Sequence, residues 1–249
     1  MTQHASLLAG TCNTRTVCGC RLPLLRSDHL ANADEADLRA LQSLGIRTVI
    51  DLRRDDEVAR NPAGAPIARS LAVFRIPIDN SSLFARRRSD PAFQLWELYA
   101  HMLRCHAREF AQCVCRIAQE LENGGGTLFH CSAGKDRTGV LAALLLRCAG
   151  VPDAQIVADY ALSAEMLRAK TAEEVATIPP DADPDFYRML LSCEARHMEK
   201  ALSLLDEMGG AQDYLLQAGV PRRLLARLSQ RLRSGFSAVS AAGARRAAL

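Results

Sequence analysis

A short apolar run, Thr127 to Cys131 (TLFHC), passes through a polar loop and re-emerges as an apolar stretch, Thr138 to Cys148, that stops at Gly150. The first run has the length of a strand and the second that of a helix, and a glycine just past the last apolar residue is a helix stop. A chain that turns from buried strand directly into buried helix is building a sheet with helices packed over it. The pattern upstream agrees. Leu38, Leu41 and Leu44 form a helical stripe ending at Gly45, with Asn32 as N-cap and Glu35 as capping-box partner, and Ile46 to Leu52 (IRTVIDL) then reads as a strand covered on both faces. A second strand is expected over Leu71 to Ile78.

Asp90 and Pro91 open a long helical region that reaches Glu122, ahead of Gly124, Gly125 and Gly126. Pro152 opens a further helix, and Phe186 to Met208 and Pro221 to Leu232 read as two more, separated by Gly209 and Gly210. The expectation is an α/β protein with a small, mostly parallel central sheet flanked by helices and additional helices at the C-terminal end. A length of 249 residues, 49% of them hydrophobic, suffices for one large core. Residues 1–233 are therefore read as a single domain, and 234–249, rich in Ala, Ser, Gly and Arg, as a disordered tail.

The 31 basic residues are nearly matched by 28 acidic ones, and a net charge of +3 gives no argument for a nucleic-acid partner. No run approaches the roughly 20 apolar residues that span a bilayer, and the start lacks a charged segment followed by an apolar one. This points to a cytoplasmic protein without a transmembrane segment, export by a specialised route staying open. The nine cysteines are an odd number spread over helices and loops, which suits reduced thiols better than a disulfide framework. Cys12, Cys18 and Cys20 match no common zinc spacing, so no metal or other cofactor is expected. Cys105, Cys113, Cys115, Cys148 and Cys193 lie in apolar helical contexts and read as small buried hydrophobes. No feature of the sequence speaks to oligomeric state.

Between strand and helix the chain reads His130-Cys131-Ser132-Ala133-Gly134-Lys135-Asp136-Arg137-Thr138-Gly139. A loop of this length can wrap main-chain N–H groups around a tetrahedral dianion, and the helix that follows aims its positive end at the same point. Ser132, Ala133, Gly134, Lys135, Asp136 and Arg137 are thus candidate phosphate-binding residues. The same field favours a thiolate at Cys131, the candidate nucleophile. Arg137 offers a planar fork for two phosphoryl oxygens in the transition state, which a lysine cannot copy. Gly134 lets the loop approach the anion, Thr138 can hydrogen-bond the thiolate, and Gly139 permits close packing of the helix start. His130 reads as an orienting group rather than a base.

Phosphoryl transfer to cysteine needs a group that protonates the leaving oxygen and later activates water. Asp79, following the strand Leu71 to Ile78, is the candidate, because ligands gather at the C-terminal ends of strands in such sheets. Asp136 inside the loop is its rival. Asp51 reads as a structural partner of Arg53. Arg86, Arg87 and Arg88 form a basic run after Asp79 that is either a solvated loop or a steering surface for acidic substrates.

These residues resemble the cysteine-based protein tyrosine phosphatases, and within them the atypical bacterial branch whose loop reads HCxAGKDRTG. The likeness extends to Arg26-Ser27, Leu44-Gly45-Ile46 leading into Asp51-Leu52-Arg53, Glu57-Val58-Ala59-Arg60 and Val157-Ala158-Asp159-Tyr160. It implies the cysteine-phosphatase fold and metal-independent hydrolysis of phosphomonoesters through a phosphocysteine intermediate. It also implies an acid at Asp79, which follows a Pro-containing strand end, Arg75-Ile76-Pro77-Ile78. A lysine inside the loop, here Lys135, accompanies phosphoinositide hydrolysis in related enzymes, so the implied partners are a phosphotyrosine protein or a phosphoinositide, with dual specificity. One departure is Asn13-Thr14-Arg15-Thr16, where the branch has Asn-Phe-Arg-Asp. Two other readings stay open: a catalytically weak module that only recognises phosphate, and a sulfur-transfer domain using the same strand-to-helix cysteine.

Overall fold

The protein is described by a computed structural model over residues 5–83, 92–178 and 183–246. Its sheet contains β1 (Arg15–Thr16), β2 (Leu24–Ser27), β3 (Ile46–Asp51), β4 (Ala72–Arg75) and β5 (Gly126–His130) in the order β1-β2-β5-β3-β4. Only β1 runs antiparallel, against β2, and the other neighbours are parallel. The expected α/β class with a small, mostly parallel sheet is what the chain forms. β5 lies in the middle, so the residue after it leaves the C-terminal edge between β2 and β3.

Consecutive apolar residues on the inner strands serve opposite faces. Leu24, Ile50 and Phe129 join one core cluster, and Leu25, Val49 and Leu128 the other. That alternation explains why parallel strands buried on both faces read as unbroken apolar runs. The smaller cluster lies under α1 (Glu35–Ser43) and α3 (Ala65–Ser70), and α2 (Asp55–Arg60) stands between them in the chain. The larger cluster gathers α4 (Leu95–Cys105), α5 (Ala107–Glu122) and α6 (Asp136–Ala149). It continues through α7 (Asp153–Met166), α10 (Ala195–Glu207), α11 (Gly210–Gln217) and α12 (Arg222–Arg246), whereas α8 (Arg168–Ala176) and α9 (Pro184–Leu191) have no fully buried residue. In α6 nearly every residue from Arg137 to Ala149 is buried, as expected of a helix that is apolar all round.

Several expected elements differ. The cap of α1 is Asp34, whose carboxylate accepts from the N–H groups of Ala36 and Asp37, and Asp37 rather than Glu35 completes the capping box. Asn32 lies two residues too early to reach those amides. The ladder of β4 covers Ala72–Arg75, although Ile76 and Ile78 still donate to the carbonyls of Asp51 and Leu52. The long helix before Gly124 is two helices broken at His106, whose Nε2 donates to the Asp79 carbonyl at 2.6 Å. Asp90, Pro91 and the run Arg86 to Arg88 lie outside the described residues.

The stretch from Phe186 to Met208 likewise splits into α9 and α10, and α11 forms separately. The short strands β1 and β2 form without the long β-branched run that marks a strand in sequence. At the C-terminal end α12 continues past residue 233: Gly235 faces Leu22, its carbonyl accepts from Arg21 N–H, and Phe236 packs on the larger core. The packed body therefore extends beyond the boundary drawn from composition. Among the described residues no helix is long and apolar enough to cross a membrane.

Candidate active site

Cys131 follows the last residue of β5, and Asp136 is the first residue of α6. Every carbonyl from His130 to Gly134 accepts a hydrogen bond, four of them from other parts of the chain and that of Cys131 from the neighbouring His130 side chain. Leu52 N–H donates to the His130 carbonyl at 2.9 Å and His29 N–H to that of Ser132 at 3.1 Å. His130 Nδ1 meets the Cys131 carbonyl at 3.1 Å. Asn13 Nδ2 serves Ala133 at 2.9 Å and Gly134 at 3.2 Å, and Arg26 Nη2 serves Gly134 at 2.9 Å. In a planar trans peptide the N–H points opposite to the preceding C=O. Pulling the carbonyls of residues 131–134 outward therefore turns the N–H groups of residues 132–135 into the hollow of the loop, beside the positive end of α6.

Gly134 is required on two counts. Its φ is +70°, and a Cβ there would lie 2.4 Å from the Ser27 carbonyl oxygen and 2.6 Å from Asp28 N. At Gly139 a Cβ would stand 3.2 Å from the Tyr160 ring, tighter than an ordinary contact.

The guanidinium of Arg137 is buried and already half engaged. Its Nη1 and Nη2 donate to the two carboxylate oxygens of Glu57, each at 2.7 Å, and Ser132 Oγ donates to the same carboxylate at 2.6 Å. Nε takes part in none of these bonds. End-on pairing with Glu57 occupies Nη1 and Nη2, Nη2 also reaches Ser132 Oγ at 3.4 Å, and the Nε edge of the fork stays outside this pairing, a donor edge of the kind that suits a planar array of oxygens. Burial works against the Arg137 charge, but Glu57 and then Cys131 and Asp136 outweigh it and push its pKa up, which sets the Cys131 sulfur within the field of this cation.

Burial alone would raise the Glu57 carboxyl, yet the Arg137 pair, Ser132 and the Arg54 N–H bring it from 4.5 down to about 2. A carboxyl lowered on folding stabilises the fold in its ionised form. Its contribution, on the order of 3 kcal/mol from such a shift, is complete above pH 4.5 and is lost as the pH falls toward 2. Thermal unfolding of the wild type should weaken across that window, and Glu57→Gln should remove this part of the slope.

The remaining expected residues divide. Burial, partly offset by Asp51, lowers the pKa of His130, and its Nδ1 must carry the proton that the Cys131 carbonyl accepts, as an orienting group should. Asp51 pairs with Arg53 through two bonds at 2.9 and 2.7 Å. Thr138 Oγ1 is buried with no hydrogen-bond partner. Lys135 does not project outward: it is 2% exposed and donates to Asp136 at 2.6 Å. Asp136 also accepts from the Tyr99 hydroxyl at 2.7 Å.

Asp79 stands on the exposed rim, where its carboxylate accepts from Ser81 N–H at 2.8 Å and lies 3.9 Å from Arg54 Nε. The Ser81 N–H, more than Arg54 and His106, holds its pKa below the usual range. Arg54 in turn reaches Glu57 at 3.6 Å, so Asp79, Arg54, Glu57 and Arg137 form one chain of charges from rim to floor.

Behind the loop lies a group that sequence reasoning missed. Arg26, fully buried, bridges the Gly134 carbonyl and Asp159 at 2.5 Å, and Arg15 reaches the Asp159 carbonyl and Ser163. The available signals were a charged residue inside an apolar strand, Leu24-Leu25-Arg26, and the Asn and Arg that Asn13-Thr14-Arg15-Thr16 shares with the resembling branch. Among the described residues no group of three His, Cys, Asp or Glu side chains could hold a metal ion. Burial pushes Cys18 and Cys20 up to about 11, and Cys12 is exposed. Cys105 departs from expectation in being exposed, beside His101 Nδ1 at 3.5 Å.

The model of the tyrosine phosphatase family matches residues 8–234. The chain is 33% identical over 222 residues to a tyrosine-protein phosphatase of Nostoc commune, covering 84% of this chain and 73% of that protein. It is 27% identical over 245 residues to the triple specificity protein phosphatase PtpB of Mycobacterium tuberculosis, covering 82% and 88% respectively. Among solved structures it aligns with TpbA from P. aeruginosa at 20% identity and a TM-score of 0.31, over 68% of this chain and 85% of that one. With its family model spanning nearly the whole packed body, the chain belongs to the tyrosine phosphatase family.

Proposed function

We propose that this phosphatase hydrolyses phosphotyrosine through a phosphocysteine at Cys131, with Asp79 as general acid and base. The Sγ thiolate attacks phosphorus in line, the bond from phosphorus to the phenolic oxygen breaks, and the Asp79 carboxyl passes its proton to that oxygen. Water then attacks phosphorus, Asp79 takes its proton, and the bond from phosphorus to sulfur breaks to free phosphate and thiolate. The observation that carries the reading is the unbroken set of hydrogen-bonded carbonyls from His130 to Gly134, beside an arginine whose Nε takes no part in its pairing with Glu57. Ser132, Ala133, Gly134 and Lys135 act through their main-chain N–H groups, and the unpartnered Thr138 hydroxyl suits the sulfur as it leaves.

Ser81 N–H and Arg54 favour the ionised form of Asp79, and an arriving dianion raises its proton affinity, which is what an acid on the rim requires. A specific observation favours Asp136 as the alternative acid, since Tyr99 and Lys135 fix its Oδ1 at the helix start. Both donors also tie it down at the helix start, whereas Asp79 stands on the exposed rim where a leaving phenol departs, so Asp79 is preferred. The name of the mycobacterial relative raises a wider substrate range. Phosphoinositide recognition through Lys135 is disfavoured, because that ammonium is buried against Asp136.

A series of aryl phosphates assayed in the presence of chelator tests this. Wild-type kcat should vary little with the acidity of the leaving phenol, and Asp79→Asn should make it fall steeply as the phenol becomes less acidic. A steep series from Asp136→Asn with a flat one from Asp79→Asn would transfer the acid role to Asp136. Turnover that requires an added divalent metal would remove the mechanism altogether.

A further inference from the structure

Tyr160, in the stretch Val157-Ala158-Asp159-Tyr160, has no task in the mechanism. Asp159 and Tyr160 are neighbours on α7, yet they reach different parts of the phosphate loop. Asp159 holds Arg26, which holds the Gly134 carbonyl. The Tyr160 hydroxyl meets that of Tyr99 at 2.7 Å, and Tyr99 donates to Asp136 Oδ1 at 2.7 Å. The two rings cross edge to face with centroids 6.0 Å apart, and both residues are at most 1% exposed.

Proton counting gives this chain a direction. A carboxylate only accepts, so Tyr99 spends its single proton on Asp136 and the Tyr160 hydroxyl must donate to Tyr99. Burial first, and the Asp136 charge after it, keep both phenols protonated. Lys135 Nζ binds the same Oδ1 at 2.6 Å, so that oxygen is gripped from two sides. Asp136 is the residue before Arg137 and opens the helix that carries it.

On the reading that Cys131 and Arg137 perform the reaction, we propose that Tyr99 and Tyr160 are positioning residues, a two-phenol relay that fixes Asp136 and through it the angle of the Arg137 fork. The relay touches neither substrate nor sulfur. It acts where the oxygens flatten in the transition state, which demands a tighter placement of the guanidinium than binding does.

Phenylalanine at either position removes one oxygen and keeps the ring. Tyr99→Phe should lower kcat by roughly tenfold or more, the scale of a lost hydrogen bond to a charged group, with KM moved by no more than about threefold. Tyr160→Phe should lower kcat by a smaller factor, and the double variant should match Tyr99→Phe alone, because Tyr160 works only through Tyr99. The measurement is steady-state hydrolysis of a phosphotyrosyl peptide, normalised to folded protein by near-ultraviolet circular dichroism.

A kcat for folded Tyr99→Phe within twofold of wild type overturns the relay, as does a double variant whose loss is the product of the two single losses. Should Tyr99→Phe not fold, Tyr160→Phe decides alone, and an unchanged kcat there overturns it. An active Cys131→Ser would instead sink the underlying mechanism, so the two failures are distinguishable.

Discussion

Cys131→Ser is expected to lower kcat toward phosphotyrosyl peptide by at least about four orders of magnitude while leaving peptide binding intact. A serine hydroxyl is a far weaker nucleophile than a thiolate, and nothing in the loop acts as a base toward it, because His130 spends its Nδ1 proton on a carbonyl and faces Asp51 with its other nitrogen, 3.8 Å away. Binding draws on parts the substitution does not touch: the inward amides, the end of α6 and the Glu57-braced guanidinium. Calorimetric titration of the variant with a non-turned-over phosphotyrosyl peptide measures the second half of the statement. Residual turnover within tenfold of wild type would exclude the phosphocysteine route.

Gly134→Ala should be nearly as damaging for a different reason. At φ +70° an alanine is strained, and its methyl would sit 2.4 Å from the Ser27 carbonyl, which is backbone at the end of β2 and cannot step aside. A loss of about 3 kcal/mol in stability and at least a thousandfold in kcat/KM is expected, since relief requires rotating peptides out of their inward setting. The sensitivity belongs to the site rather than to glycine in general. Gly124 has a similar φ of +73° but nothing within 4 Å of its missing Cβ, so Gly124→Ala should cost about 1 kcal/mol and leave kcat unchanged. Denaturant melts and steady-state kinetics on the pair separate backbone strain from steric collision.

The elements legible in the chain were those whose burial is local. β3 and β5 announce themselves because both faces of each are covered, and α6 because it is apolar all round. β1 and β2 stayed hidden: two and four residues long, they hold Arg15 and Arg26 for the sake of partners more than 100 positions away. The same contrast holds in the site. Cys131 and Arg137 were readable from their spacing and Gly134 from its role in the turn, whereas Glu57 looked like one acidic residue among three in Asp55-Asp56-Glu57. Nothing short of the parallel pairing of β3 with β5 tells the reader that Glu57 faces Arg137. Lys135, expected among the phosphate-binding residues, has its ammonium buried against Asp136, a placement that its position in the loop does not reveal.

Asn13 and Arg26 grip the Gly134 carbonyl across 121 and 108 residues of chain, and Arg26 meets Asp159 across 133. A reactive sulfur emerging during synthesis is therefore surrounded by a slack turn whose amides point anywhere. It acquires its anion hole only when the first strand pair and the seventh helix close on it from both sides, a non-local event among the slower steps a chain of this size makes. The shape of this turn thus depends on segments far away in the chain, and loosening either of them should disturb it without any change in the turn itself.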